Sequence, residues 1–369
     1  IEAVNLPRVI ACNASVKLAT GLTPVASMPT VDQQEGIAAH YVAASVLSGK
    51  FTDPLEFVER QTPNGVWVSP EIAENVAIYV NYCTEHYYQV PTIKTWVEST
   101  ATFEVPGARI GCRPDFVGFD SATNTLFIED FKYGHRLVEA EMNWTLIADA
   151  IGAMLAYNLT PDHVVLAISQ PRPFHPDGKR REWPISGDYL RQLYGWLSRF
   201  FVDQPENLAT GPHCSGCLAV AFCPAARQAE FNAVDVASKL VIRDDMGEED
   251  IRQALLTIER ASDALELRAD ALRDLAKTRI RQGKIIGDYV IEPTYGHYAV
   301  KAEFKDPAIL KVLTGVDVTD TKLVSKTEMI RRGVSQAMAD AITYRPTTGE
   351  KLVRRNANNR AKRLFGKQP

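Results

Sequence analysis

Asp115, Asp130 and Lys132 carry the clearest chemical pattern in the chain. They lie in residues 110–134, where two short apolar runs, 115–119 and 125–131, flank Asp120-Ser121-Ala122-Thr123-Asn124 and predict a β-hairpin. Asp115 opens the first strand; Asp130 and Lys132 close the second, two residues apart and so on one face. Carboxylate oxygens are the hard ligands that Mg²⁺ or Mn²⁺ prefers. Such an ion lowers the pKa of a bound water, and a lysine beside it can hold or deprotonate the attacking water. This is the equipment of metal-assisted phosphodiester hydrolysis. The competing reading is a solvated hairpin, in which Asp at a turn edge and Asp-x-Lys at a strand end are common.

A second pattern is Cys214-Ser215-Gly216-Cys217-Leu218-Ala219-Val220-Ala221-Phe222-Cys223-Pro224, three cysteines at C-x2-C-x5-C. It supplies three soft ligands and needs a fourth. Zinc sites of four cysteines tend to come as two separated C-x2-C pairs, which this chain lacks. Iron-sulfur clusters take four thiolates and tolerate a remote one. Zinc and free thiols stay open at this point, with His213 a substitute fourth ligand. Of the remaining cysteines, Cys83 shares a helical face with Val76 and Val80 and reads as core, and a buried thiol is the ordinary reading of Cys12.

The elements that must position these groups follow from the rest of the chain. Its 369 residues are enough for two domains or one elaborated domain. Charged residues at 23% and hydrophobic ones at 46% are ordinary for a soluble protein. A net charge of −4 gives no global basic signature, so any nucleic-acid surface must be local. No apolar run approaches a membrane span, so the expectation is a cytoplasmic protein with no membrane partner. The chain begins at Ile1 rather than Met, so the sequence is expected to lack its start.

Residues 35–49 predict an alanine-rich helix carrying His40, and Ser69-Pro70-Glu71 is a helix start leading to about Tyr88. A strand is expected over Lys94–Val105, with Glu98 on it as a solvated glutamate. A helix over Val138–Tyr157, a buried strand over His163–Ser169 and an amphipathic helix over 186–202 complete the pattern. Between the last two, Pro171–Pro184 mixes proline, basic residues and Trp183, a loop that could flank a nucleic-acid groove or simply be surface.

Pro114-Asp115 followed by Asp130-Phe131-Lys132 resembles the core of the PD-(D/E)XK nucleases. The order of a cysteine, a Glu35-Gly36-x-x-x-His40 helix, the hairpin and three late cysteines is similar to their RecB-like iron-sulfur members, the AddB-type and CRISPR-associated adaptation nucleases. The layout spans residues 12–223 and recurs in related phage-encoded proteins. The resemblance implies that Asp115, Asp130, His40 and the Phe131 carbonyl ligate Mg²⁺ or Mn²⁺, and that Lys132 positions the water. It makes Cys12 the fourth ligand, with Cys214, Cys217 and Cys223, of a 4Fe-4S cluster that clips the two ends of the core across a loop of roughly 200 residues. Where relatives carry Gln-x-x-x-Tyr on the helix after the lysine, this chain has Thr145 and Asp149.

The fold expected is therefore α/β, a mixed central sheet flanked by helices (restriction-endonuclease-like), over residues 1–237. A helical C-terminal extension follows over 238–369, with a long helix at 246–283, a small hairpin over Ile286–Val300, small helices over 321–343 and a basic tail from Lys351 to Lys367. The function implied is a metal-dependent DNA nuclease, an exonuclease acting on ends or single strands in phage recombination or replication. Its location would be the bacterial host cytoplasm, its partners DNA and a helicase or recombinase, with homo-oligomerisation open. The alternative is a non-catalytic DNA-binding or assembly subunit that keeps fold and cluster.

Overall fold

The computed structural model describes residues 1–22, 29–240, 243–295, 298–301, 304, 307–318 and 324–354. The chain forms two compact units, Ile1–Pro24 with Asp32–Leu272, and Val25–Val31 with Arg273–Pro369.

The first unit opens with helices α1 (Leu6–Ala11), α2 (Ala14–Ala19), α3 (Val31–Leu47, whose first residue belongs to the other unit) and α4 (Pro70–Cys83). Strands β1 (Ile93–Val97), β2 (Ala101–Val105), β3 (Ala108–Cys112), β4 (Phe116–Asp120) and β5 (Thr125–Phe131) follow. Then come α5 (Trp144–Ala156), β6 (His163–Ser169), β7 (Arg180–Ser186), α6 (Gly187–Asp203), α7 (Pro224–Lys239) and α8 (Glu248–Arg281), which carries the division at Leu272. A five-stranded sheet has the order β1-β4-β5-β6-β7. Only β5 and β6 run parallel within it, the direction a helical crossover such as α5 requires. This is the mixed sheet flanked by helices that the sequence predicts.

Local chemistry sets the helix ends. Ser69 Oγ accepts from the Ile72 N–H with Pro70 at the first helical position, and the Asn143 side chain accepts from the Thr145 and Leu146 N–H groups. Asn143 also corrects the expected helix over 138–157. Its cap starts the helix at Trp144, while Val138 is held outside it by Gln170 and Arg181.

One face of the sheet packs Val117, Leu126 and Ile128 against Leu146, Ile147 and Ile151 of α5; the other packs Phe116 and Phe131 against α3 and α4. Alternate residues of β5 therefore face opposite cores. Gly152 lets α5 approach β3, since a Cβ there would lie 3.0 Å from Cys112 Sγ. On the α4 face, Glu129 is fully buried and bonds Arg180 through its Nε (3.1 Å) and Nη2 (2.6 Å), with the Tyr87 hydroxyl donating at 2.5 Å. Arg180 reaches it from β7 diagonally past β6, on which Glu129 pairs with Ala167 and Arg180 with Ser169.

The expected strand over Lys94–Val105 is two strands. Glu98 has φ +47° and its N–H donates to the Asp115 carbonyl, which breaks the run. β1 then pairs with β4, and β2 turns aside to form its own sheet with β3. Such a left-handed residue is not visible in an alternating pattern.

In the second unit, β8 (Tyr289–Tyr295), β9 (Ala299–Val300), α9 (Pro307–Thr314), α10 (Lys326–Arg331), α11 (Gln336–Ile342), β10 (Thr343–Tyr344) and β11 (Thr347–Arg354) surround a core of Leu310, Val318, Met329, Val334, Ala339 and Ile342. Among the described residues the hairpin expected over Ile286–Val300 is not formed. Instead β8 pairs with β11 and β9 with β10, partners more than forty residues downstream that no local turn signal announces. The basic tail beyond Arg354 lies outside the described residues.

Candidate metal centre and thiol cluster

Asp115 immediately precedes β4, and the β4–β5 register sets it beside the end of β5. Its Oδ2 accepts from the Phe131 N–H at 2.7 Å, and its Oδ1 lies 3.1 Å from His40 Nδ1, delivered by α3. Glu98 joins them. Ligand atoms of His40, Glu98 and Asp115 all lie within 4.8 Å of one another, a spacing that one divalent cation can bridge. The kink at Glu98 turns this side chain inward, where Arg113 Nε donates to its Oε2 at 2.9 Å. The sequence reading as a solvated glutamate therefore missed a member of the site, and only the broken strand could have signalled it.

Asp130, at the end of β5, faces the α5 side with Leu126 and Ile128, and its carboxylate takes the Lys132 Nζ at 2.7 Å. It stands outside the His40–Glu98–Asp115 triad. Phe131, between Asp130 and Lys132, stacks its ring on Tyr79 (4.9 Å) and meets the His40 ring edge-on (5.4 Å).

Burial opposes ionisation of Asp115, but His40, Lys132 and the Phe131 N–H overcome it and hold the carboxyl below its usual range. Burial likewise disfavours a charged His40, and Asp115 with Asp130 outweighs it, so the imidazole is raised. Asp130 is raised by burial and by Asp115, with Lys132 opposing. Burial, then the charge of Asp115, raises Glu98. The set is an anionic pocket in want of a positive charge.

Asp149 of α5 adds to that want. The residue is buried, its Oδ1 has no hydrogen-bond partner, and burial together with the charges of Asp130 and Asp115 pushes its carboxyl well above the ordinary range. Lys132 and the Arg113 backbone N–H counter this only in part. Thr145 is the second residue of the same helix, one turn earlier.

Away from these residues in sequence, Cys12 follows α1, Cys214 closes a 3-10 turn at Pro212–Cys214, Cys217 lies in the next turn and Cys223 is the N-cap of α7. All four line one small cavity with Arg8, Leu18, Val220 and Ala226. Burial pushes the Cys214 thiol up, as do the nearby Cys217, Cys12 and Cys223 thiols. Two distant segments are stitched together beside it: Asn207 N–H donates to Asn13 Oδ1 (2.6 Å), and Asn207 Nδ2 to the Ala11 carbonyl (3.0 Å). Arg8 Nη1 donates to the Gly216 carbonyl (3.2 Å), and Arg268 of α8 to the Val220 carbonyl (2.6 Å). His213 lines the cavity too, but its Nε2 meets the Ala209 carbonyl at 3.0 Å. Cys83 and Cys112 are buried elsewhere, in the two sheet cores.

Both sites lie within a single sequence family match that covers residues 4–344. The chain belongs to the family "Protein of unknown function (DUF2800)". Among solved structures, this DUF2800 chain is similar to that of SSO0001 (12% identity, TM-score 0.27, 61% of this chain and 86% of that one). It is also similar to a protein of Eubacterium rectale solved under the name "Putative exonuclease" (10% identity, TM-score 0.32, 68% of this chain and 92% of that one). No curated protein matches. Among the described residues no helix is long and apolar enough to cross a membrane.

Proposed function

We propose that this DUF2800 chain is a metal-dependent deoxyribonuclease of the RecB-like PD-(D/E)XK type, acting on DNA ends or single strands. The observation that carries the reading is the convergence of His40, Glu98 and Asp115 within 4.8 Å beside the Asp130–Lys132 pair. His40, Glu98, Asp115 and Asp130, with the Phe131 carbonyl, would hold Mg²⁺ or Mn²⁺, oxygen-rich donors suited to a hard cation. The ion supplies Lewis acidity and a more acidic water. Lys132 Nζ, held by Asp130, would orient that water. Hydrolysis adds the water oxygen to phosphorus as the P–O bond breaks, and the water's proton ends on the leaving alkoxide. The buried aromatic bed of Tyr79 and Phe131 keeps solvent away from the far side of the ligands.

The four thiols of Cys12, Cys214, Cys217 and Cys223 fit a 4Fe-4S cluster, since they share one buried cavity and come from both ends of the core. Its role in this reading is structural. The reading extends to phage recombination or replication in a bacterial cytoplasm, beside a helicase or recombinase.

A second reading, a non-catalytic DNA-binding or assembly subunit, is favoured by Thr145 and Asp149, the latter a buried carboxyl beside the charges of Asp130 and Asp115. Cleavage of end-labelled single- and double-stranded DNA by anaerobically purified protein, with Mn²⁺, Mg²⁺ or EDTA, separates the two. The nuclease reading expects metal-dependent cleavage that Asp130→Ala and Lys132→Ala abolish with the circular dichroism unchanged. Binding without cleavage in Mn²⁺ would move the assignment to the second reading.

A further inference from the structure

The loop between β6 and β7 presents one aromatic ring to solvent and tucks its neighbours away. Phe174 is 88% exposed, whereas the side chains of Arg172 and His175 on either side are 14% and 10% exposed. Arg172 lies over the Tyr133 ring (4.5 Å) and pairs with Glu35 and Glu71 (3.6 Å each). His175 Nε2 meets Glu139 at 3.1 Å, and its Nδ1 accepts from the Asp177 N–H at 3.1 Å. The base of the loop is closed by the Gln170 N–H donating to the Lys179 carbonyl (2.7 Å). The buried Gln170 side chain donates to the Gly134 and Arg136 carbonyls (2.8 Å each) and accepts from Arg181 (2.8 Å). The ring of Phe174 is thus held out on a loop whose backbone is fixed at both ends and at its turn.

Its position in the sheet gives this ring a use. Strands β5 and β6 are parallel and end together, Phe131 opposite Ser169, and the Lys132 N–H donates to the Ser169 carbonyl. The loop therefore leaves the sheet at the edge that carries Asp130 and Lys132. The exposed cations Arg136 and Lys179 both sit at its base, through their backbone contacts to Gln170. A projecting ring with flanking cations at the mouth of a polar site is the combination that binds single strands, because every base offers a π-face while the cations follow the phosphates.

Resting on the nuclease reading above, we infer that Phe174 stacks on an unpaired nucleobase and so selects single-stranded or frayed DNA for the site. Phosphate contacts do not distinguish an unpaired base from a paired one, whereas an aromatic platform needs a free base face. The specificity of the site would then lie in this loop rather than in the metal ligands.

The test measures binding of labelled oligo-dT and of a blunt duplex to the full chain, on a Lys132→Ala background with Mg²⁺, by fluorescence anisotropy. Phe174→Ala and Phe174→Leu are expected to weaken oligo-dT binding about 5- to 150-fold, the range of one base–aromatic stack. Phe174→Tyr should restore it, and duplex affinity should change by less than about twofold. Because the ring is exposed, none of these changes removes core packing; unchanged circular dichroism checks this. A Phe174→Ala chain that binds oligo-dT as tightly as its parent, or loses oligo-dT and duplex equally, overturns this inference and leaves the nuclease reading standing if the wild-type chain cleaves. A wild-type chain that neither binds nor cleaves DNA overturns both. Loss of a protein partner instead, with DNA binding intact, would assign the ring to a docking contact and also overturn it.

Discussion

Replacing Asp149 by Asn should stabilise the metal-free protein, and by an amount that grows with pH. Asp149 is 3% exposed, its Oδ1 has no partner, and burial with the charges of Asp130 and Asp115 raises its folded-state pKa well above the ordinary value. The unfolded chain gives it a pKa of about 3.9. A folded-state pKa above the unfolded one means that the group's contribution is fully present below about pH 4. It is lost as pH rises, at about 1.4 kcal/mol per pH unit, until the folded-state pKa is passed. Asparagine has nearly the same shape, keeps an oxygen for the Arg113 N–H and has no charge to bury. The Asp149→Asn chain should therefore equal the wild type near pH 4 and exceed it progressively above, the gap opening at up to about 1.4 kcal/mol per unit. Urea unfolding in EDTA at a series of pH values from 4 to 8 reads this directly. Taking the difference between the two chains cancels the titrations of Glu98 and Glu35, which are raised as well, while that of Asp130, coupled to Asp149, is part of the difference. Parallel pH profiles, or a variant less stable at neutral pH, would refute the claim that Asp149 is held in an unfavourable charged environment.

Three further outcomes are expected. Glu98→Gln removes a carboxylate from the triad and should weaken Mn²⁺ binding about tenfold or more by calorimetry, whereas Glu104→Gln, at an exposed position of β2, should not. If the thiols hold the proposed cluster, Cys12→Ser and Cys214→Ser should each remove the brown colour and the complement of about four irons per chain of anaerobic preparations; Cys112→Ser should leave both in place. Glu129→Gln removes the buried counter-charge of Arg180, leaving it only the exposed Glu182, and should cost up to about 3–5 kcal/mol in urea unfolding, more than Glu182→Gln on the exposed side of the same arginine.

The parts of this chain that could be read from sequence are those written in local pattern. The β4–β5 hairpin, the capped start of α4, the continuous apolar run of β6 and the amphipathic α6 each follow from periodicity and cap chemistry within a dozen residues. Asp115, Asp130 and Lys132 could be placed together because a hairpin and a two-residue strand spacing are short-range geometry. Glu98 could not, because its role depends on a left-handed backbone that breaks the strand, and the signal for that is the tertiary bond from its N–H to Asp115. Asp149 stands out in the sequence as a departure in the helix after the lysine, but its burial against the candidate centre is a matter of how α5 crosses the sheet. The pairings of β8 with β11 and β9 with β10 are longer range still. They depend on which distant edge is free, a choice that no local alternation encodes.

Glu129 and Asp130 are neighbours on β5, one facing the α4 core and the other the candidate centre. A strand that slipped by a single residue would turn each of them to the opposite face. Asp130 would leave the candidate centre for the α4 side, and Glu129 would lose its place against Arg180 and Tyr87. The Glu129–Arg180 bond spans β6 and is satisfied in only one alignment of β5, β6 and β7. It therefore acts as a registration pin, and changes on the face of the sheet away from the centre should reach the centre by way of strand alignment.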